Sequence, residues 1–442
     1  MELHTATTSL TRQQRMAGGL RSAGLADGDR VALLCSGNAS LVDLVLAATR
    51  SGVIPVPLDP RLTPRERSVV LDQVEPALVV DDPAVLDELA DGPERELDPF
   101  PRCRPMHFTS GTTGRSKGVW SGWLSPEHAE ALVVEERELW GFRADDVNLA
   151  VSPLYHSAPL RFAMGTLLAG GSVAVVPFAP EPVARAMAEL APTTMFCVPA
   201  HLQRLFAWSD ETGEPLTTGS FRLVAHAGAA CPTPTRRRTH REFGEDVVWE
   251  FYGSTEGQFT ACPAPEWIAS PGTLGRARPG RTVWTDDEDQ IWCAVPPWAS
   301  FEYWRDPDKT AKAWRDSPHG PSFTVGDLGR VDADGRVFLD ARRTDLIITG
   351  GVNVYPAEVE DVLSAVPGVV EVAVFAQPDD QWGQRVCAAV VGTTDEDTLR
   401  AVAAEHLTPP KRPKEYRFIT ALPRTATGKV KRGELTGPSA LQ

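Results

Sequence analysis

The chain is 442 residues long, 42% hydrophobic and 23% charged, a globular balance that excludes a disordered or fibrous protein. Its 36 Gly and 38 Pro follow no period, so collagen is excluded and many turns are expected. A formal net charge of -15 excludes the overall basic field of a nucleic-acid or anionic-membrane binder.

Length predicts about three domain-sized units. The Cys residues at 35, 103, 197, 231, 262, 293 and 387 are odd in number and form no CxxC pair. They argue against a disulfide framework or a zinc site and fit a reducing cytoplasm. The N-terminal MELHTATTSL has no basic n-region and no apolar h-region. No window approaches the ~20 apolar residues that span a bilayer. A soluble, cytoplasmic, multi-domain protein is expected.

In chain order, short β-branched runs predict buried strands at Val31–Cys35, Ala77–Asp81, Asn148–Ser152, Ser172–Pro177, Thr193–Pro199 and Arg222–His226. Helical patterns lie between them, over Leu41–Ser51, Pro126–Trp140, Pro182–Leu190 and Thr233–Phe243. This alternation predicts an α/β fold, mostly parallel sheets covered by helices. From about Gly272 to Asp340 the runs shorten, at Thr282–Trp284 and Gln290–Val295, and Asp334-Gly335 reads as a hairpin turn. This stretch is expected to be antiparallel and barrel-like. The last hundred residues read as a small α+β unit, with strands at Val369–Phe375 and Val386–Val391 and a helix over Asp397–His406. The boundary is placed at 343/344, giving a domain over 1–343 and a mobile one over 344–442. Residues 401–442 hold eight Lys/Arg against three Glu, a basic tail on an acidic chain. It is either a solvated surface or a domain that closes over phosphates.

Phe108-Thr-Ser-Gly-Thr-Thr-Gly-Arg-Ser-Lys-Gly-Val119 packs glycines, hydroxyls and Lys117 into twelve residues after a predicted strand. Glycines let backbone N–H groups turn inward, hydroxyls add donors and Lys117 adds a charge, so the loop suits phosphate. It lacks the GK[ST] of the ordinary NTPase loop, since Ser116 precedes Lys117 and Gly118 follows it. Gly114-Arg-Ser-Lys-Gly118 also matches the nucleophile elbow of serine hydrolases. That motif needs a strand-to-helix turn at the serine, whereas the strand here ends near Thr109.

With this loop and four further blocks in order, the chain resembles the acyl-activating adenylate-forming superfamily, closest to acyl- and aryl-CoA ligases. The blocks are Tyr252-Gly-Ser-Thr-Glu-Gly257, Val325-Gly-Asp-Leu-Gly-Arg330, Arg342 through Glu360, and Pro423-Arg-Thr-Ala-Thr-Gly-Lys429. The resemblance spans nearly the whole chain. It implies ATP, Mg²⁺ and CoA as cosubstrates and cofactor, and a small carboxylic acid as substrate. Thr109, Ser110, Gly111, Thr112, Thr113 and Gly114 would then hold phosphates with Lys117. Tyr252 and Gly253, with Ala229 and Ala230, would meet adenine. Asp327 would take the ribose hydroxyls, and Arg342 the ribose or phosphate. Thr255 would donate to the α-phosphate and Glu256, a hard oxygen donor, would bind Mg²⁺. Lys429 would bridge the attacking carboxylate and the α-phosphate, where a positive charge offsets the repulsion of two anions. Taken singly, Asp327 and Glu256 read more ordinarily as a turn cap and a lone loop acid, and Arg342 has a surface ion pair as its plain alternative.

For the thiol, Gly350 and Gly351 would clear a pantetheine channel, and Trp382, Arg412 and Lys414 would face the CoA nucleotide; the basic tail surface is the plain alternative for the last two. His156, Gly228 and Gly257 would border the acyl pocket. Arg161 either pairs with a second carboxylate of the substrate or, more ordinarily, lies on a helix surface. The chain departs from the family pattern at Ser116, Ala341, the hinge position Thr344 and Pro410. Thr344 and Pro410 bear on domain rotation and CoA adenine contact. One alternative reading is therefore an enzyme specialised for one half-reaction, thioesterifying a supplied adenylate or passing the acyl group to a carrier protein. A silent nucleotide- or acyl-CoA-binding module and a serine hydrolase are the readings from other classes.

Overall fold

Runs such as Asn148-Leu-Ala are apolar on both faces, and such strands bury only beneath helices on both sides. In the computed structural model, which describes residues 3–109, 117–342, 347–349, 352–379, 382–407, 409–424 and 430–436, they do so. Five strands lie side by side and parallel, in the order Ser172–Val175, Val147–Ala150, Thr194–Cys197, Leu223–His226 and Val248–Glu250. Antiparallel strands close the two edges, His4–Thr5 on one and Thr260–Pro263 with Arg276–Ala277 on the other. A smaller parallel sheet holds Ile54–Pro57, Arg30–Leu33 and Leu78–Val80.

Helix limits follow local punctuation. The helix Pro126–Trp140 begins with Pro at its first position, capped by the Ser125 hydroxyl accepting from the His128 N–H, and ends at Gly141 with φ +62°. The helix Thr233–Phe243 also matches its expected span and stops at Gly244. Strands run one or two residues shorter than the apolar runs that signalled them, Val147–Ala150 against Asn148–Ser152 for example. Ladder bonds end where the chain turns, while burial continues through Val151 and Ser152. The opening helix Ala6–Ser22, which no sequence signal marked, buries Met16, Ala17 and Leu20 in one core with Leu41, Val45 and Ala48. It comes so near the next layer that a Cβ on Gly19 would sit 2.3 Å from the Leu89 carbonyl oxygen.

Beyond this lobe the short runs are antiparallel, as expected: a four-stranded sheet of Thr282–Thr285, Ile291–Ala294, Gly320–Phe323 and Trp314–Ser317. The hairpin Asp327–Val331 with Val337–Arg342 turns at Gly335, φ +79°, where the Asp332 carboxylate accepts from the N–H groups of Asp334 and Arg336. Toward the C-terminus the strands Val369–Asp379, Gly383–Gly392 and Glu415–Phe418 share a core with the helices Pro356–Ser364 and Glu396–His406, built on Ile347, Val359, Leu363, Val374, Val390 and Leu399. The protein is thus mixed α/β, a large N-terminal part of helix-covered, mostly parallel sheet followed by a small α+β part. Among the described residues no helix is long and apolar enough to cross a membrane.

The start of the main sheet is tied by one acid. Asp146, 1% exposed, accepts from Arg222 Nε at 2.7 Å and, through its second oxygen, from Arg222 Nη2. It also accepts from the Thr193 hydroxyl at 2.8 Å and the Arg143 N–H at 2.9 Å, joining three neighbouring strand entrances. Arg222→Met strips this buried carboxylate of its cation and should cost about 3 kcal/mol in urea unfolding. A loss below about 1 kcal/mol would mean the pair is a surface ornament.

Candidate active site

In a parallel sheet the loops after each strand gather on one edge, the usual seat of ligands. Here that edge collects 151–156, 198, 227–231 and 251–257, the last two after strands in register, His226 opposite Glu250. The Tyr252–Gly257 block closes as a tight turn, the Ser254 N–H donating to the Gly257 carbonyl at 2.8 Å and Gly253 pairing with Gln258. A side chain at Gly253 would strike the Gln258 Cα at 2.7 Å, so only glycine permits the turn that displays Thr255 and Glu256.

Glu256 is 6% exposed and its Oε1 accepts from the Tyr303 hydroxyl at 2.9 Å. Tyr303 comes from the short strand Glu302–Tyr303, which pairs with Lys117–Trp120. The ammonium groups of Lys117 and Lys309 stand 5.0 and 5.5 Å from the centre of the Tyr303 ring. Burial and the neighbouring Lys117 pull Lys309 below the usual lysine value. Burial and the Glu256 carboxylate push the Tyr303 phenol far above its own. The structure thus brings Lys117, Thr255 and Glu256 to one place and adds two residues the sequence did not single out. Tyr303 and Lys309 had no local signal, because they arrive through a strand pairing about 180 residues away in sequence.

Lys117 begins the second strand of a hairpin with His107–Thr109, Thr109 opposite Lys117. Ser110, Gly111, Thr112, Thr113 and Gly114 lie outside the described residues, on the connection between those strands. The motif therefore leads from strand to strand. The serine-hydrolase reading, which requires a helix after the serine, is corrected by this pairing.

Asp327, 1% exposed, accepts from the Tyr252 hydroxyl at 2.6 Å, and Arg342 stands opposite it across the hairpin. Tyr252 is itself buried, its ring 4.9 Å from that of Phe259, so its hydroxyl positions the carboxylate expected to meet ribose. Ala229 and Ala230 occupy the loop beside it, half-buried and exposed. His156 immediately precedes the helix Ser157–Leu168 without a capping hydrogen bond from its side chain, its ring 4.2 Å from that of Tyr155; Gly228 sits at φ +89° and Gly257 against Phe323.

None of these last three lines a cavity of about 180 Å³, which opens instead between the 99–105 segment and the helices Pro126–Trp140 and Ser157–Leu168, with Thr255 in its lining. Arg161 lines it, which corrects its expected place on an outer helix surface. Its guanidinium turns inward, donating to Gln258 Oε1 at 3.0 Å, because Glu136 and Gln258 offer it partners there. His107 lines the cavity too, its Nδ1 3.0 Å from the Tyr155 carbonyl oxygen, and burial lowers its pKa to about 4.

In the C-terminal part Trp382 is exposed and Lys414 donates to the Pro409 carbonyl at 3.1 Å. Arg412 donates to the carbonyls of Leu407 at 2.8 Å and Ala404 at 2.9 Å, closing the end of the helix Glu396–His406. Thr344, Gly350, Gly351 and Lys429 lie outside the described residues; Arg424 and Val430, which flank the Lys429 segment, pair across an antiparallel bridge.

A family model described as "AMP-binding enzyme" matches residues 5–101 and 102–292, and one described as "AMP-binding enzyme C-terminal domain" matches 358–429. The chain is 30% identical to an indoleacetate–CoA ligase of Aromatoleum aromaticum, over 96% of this chain and 90% of that protein. It is 32% identical to a fatty acid–[acyl-carrier-protein] ligase, ScoC, of Streptomyces coeruleorubidus, over 95% and 89%. Among solved structures, ATP-bound MatB from Rhodopseudomonas palustris superposes with a TM-score of 0.82 at 30% identity, over 97% of this chain and 92% of that one.

Behind the turn, His226 is 1% exposed, and burial with the nearby Arg236 lowers its pKa from 6.5 to about 3. The folded protein therefore refuses a proton that the unfolded chain accepts below 6.5, so stability is full above that value and falls as pH drops toward 3. Between pH 7 and pH 5 this one group should remove about 2 kcal/mol in urea unfolding. His226→Gln should flatten that slope by the same amount; an unchanged slope would show that His226 does not stay neutral.

Proposed function

The chain belongs to the AMP-binding enzyme family, and on that premise we propose that it is an AMP-forming acyl-CoA ligase, an acid–thiol ligase acting on a small aromatic or aliphatic carboxylic acid. In the first half-reaction a carboxylate oxygen of the acid attacks the α-phosphorus of ATP; the bond to the pyrophosphate oxygen breaks, leaving an acyl-adenylate. In the second, the sulfur of CoA attacks the acyl carbon, and AMP departs with the electron pair of the C–O bond.

The observation that carries this reading is the meeting of Glu256, Tyr303, Lys117 and Lys309 next to Thr255, in the lining of a largely apolar cavity. Two ammonium groups over one ring repel each other unless an anion joins them, and the departing pyrophosphate supplies one. Thr255 donates to the α-phosphate, and Asp327, oriented by Tyr252, accepts from the ribose. Mg²⁺ fits the donor present, the carboxylate of Glu256. A single carboxylate, Glu256, completed by phosphate oxygens and water, is the set Mg²⁺ accepts. When bound it would neutralise phosphate charge. Lys429 brings the last positive charge to the attacking carboxylate oxygen and the α-phosphate oxygens. We place the domain boundary at 343/344, so that Lys429 belongs to the moving part and Thr344 to the hinge. The phosphate loop 109–114, the adenine contacts Ala229 and Ala230, and the channel glycines Gly350 and Gly351 keep the roles the family pattern assigns.

The thiol acceptor has a second reading. Arg412 is occupied by helix carbonyls rather than presented to a nucleotide, so a carrier-protein pantetheine stands as the alternative acceptor to CoA. A relative that ligates acids to a carrier protein supports the same alternative.

A panel of carboxylic acids incubated with ATP and either CoA or an acyl carrier protein, read by mass spectrometry, tests both. Acyl-adenylate and acyl-CoA should form, and Glu256→Gln and Lys429→Ala should each cut adenylate formation about 10²–10³-fold. Lys309→Met should raise KM for ATP. Adenylate formation untouched by Lys429→Ala would refute the mechanism, and carrier-only acylation would select the second acceptor.

A further inference from the structure

The cavity bordered by Thr255 is largely apolar, with Leu132, Leu160, Met164 and Phe142 in its walls, yet Arg104, Arg137 and Arg161 line it against one carboxylate, Glu136. They belong to a larger cluster. Arg278, 2% exposed, pairs with Glu135 at 2.6 Å and with Glu136 at 2.9 Å, and Arg281 pairs with Glu135. These two acids are thereby committed. Arg161 reaches Glu136 only at 3.4 Å, on the oxygen that already accepts from the Trp140 indole. Its guanidinium donates a hydrogen bond to the neutral Gln258, an acceptor it shares with Arg278. Arg104 donates to the Ser300 carbonyl at 2.6 Å, and its Nε has no hydrogen-bond partner among the described residues. Four guanidinium groups thus face two carboxylates. His107 adds no charge of its own, and the exposed Arg137 at the cavity wall adds a further cation.

Low-dielectric surroundings make an excess of like charge costly, and the strain registers: burial and the neighbouring Arg281 and Arg161 pull Arg104 down to about 10. A pocket meant for a plain hydrocarbon or ring would gain nothing from this arrangement. A pocket meant for an anion at the far end of an apolar spacer requires it.

Resting on the ligase reading above, we infer that the acid activated here carries a second carboxylate, held by Arg161 and Arg104 while the first lies at Thr255. Arg161 supplies the planar fork that matches a carboxylate. Arg161 sits on Gln258, three residues past Thr255, so the anchor and the reacting end belong to one continuous space. Its volume, about 180 Å³, is somewhat more than the ~150 Å³ that admits benzene, which sets the spacer at a ring or about six carbons.

Matched pairs test this: terephthalic against benzoic acid, and adipic against hexanoic acid, each with wild type, Arg161→Gln and Arg161→Lys. Pyrophosphate exchange gives kcat/KM, and calorimetry with the acid alone gives binding. The diacid should exceed its monoacid about tenfold or more in at least one pair. Arg161→Gln should collapse that ratio about 10–100-fold, and Arg161→Lys should restore part of it. Preference for the monoacid in both pairs, or an equal fall for both acids in Arg161→Gln, overturns the inference. If no acid supports exchange, the ligase reading fails instead, and calorimetry still decides: Arg161-dependent binding of a diacid sustains the pocket, and its absence removes it. If Arg161→Gln does not fold, the wild-type ratios and Arg104→Gln decide between the two outcomes. Exchange that depends on Arg161 equally with every acid would assign the anion to ATP phosphate.

Discussion

A carboxylate that is nearly sealed from water, Glu256, accepts a hydrogen bond from a tyrosine delivered by a distant strand, and two lysines flank that ring. Much else in the large lobe serves this contact. The parallel sheet sets the Tyr252–Gly257 turn at its carboxyl edge, and glycine at 253 lets the turn fold tightly enough to bring its acid to Tyr303. The pairing of Glu302–Tyr303 with Lys117–Trp120 then brings the phosphate hairpin alongside. A buried anion beside half-buried cations is poised for a polyanionic nucleotide, since each charge placed before binding needs no reorganisation when the substrate arrives.

The same pre-placement of charge recurs a short distance away with the opposite sign. Glu135 and Glu136 on the helix Pro126–Trp140 draw in Arg278, Arg281 and Arg161, and burial alone would raise the Glu136 pKa. Arg161 and Arg278 outweigh it and hold that carboxyl near 2. The cluster also joins the helix to the segment after Thr260–Pro263, so specificity and scaffold share one set of ion pairs. Buried ionic networks stabilise weakly but define one arrangement, which is what a selective pocket needs.

Arg412 illustrates how context reassigns a residue. Its basic neighbourhood suggested a phosphate contact, but the helix Glu396–His406 ends without enough donors for its last carbonyls, and Arg412 is the nearest guanidinium. A net-positive tail is therefore partly a set of helix caps and ion pairs, as with Arg424 on Glu371 and Arg432 on Glu360.

Composition and spacing alone determined the α/β class and the strands and helices with strong local punctuation, and the ordered motif blocks marked the family by resemblance. The helix Pro126–Trp140 was legible because Ser125 and Gly141 state both its ends, and the ordered blocks were legible because close backbone approach to phosphate demands glycine at set positions. Local pattern could not carry what depends on pairing across the chain: that Tyr303 meets Glu256, that Tyr252 donates its hydroxyl to Asp327, and that Arg161 turns toward Glu136 and Gln258 rather than solvent. Those outcomes were decided only in the tertiary structure, because a side chain's partner is set by which distant strand or helix reaches it, and periodicity records a buried face without recording what covers it.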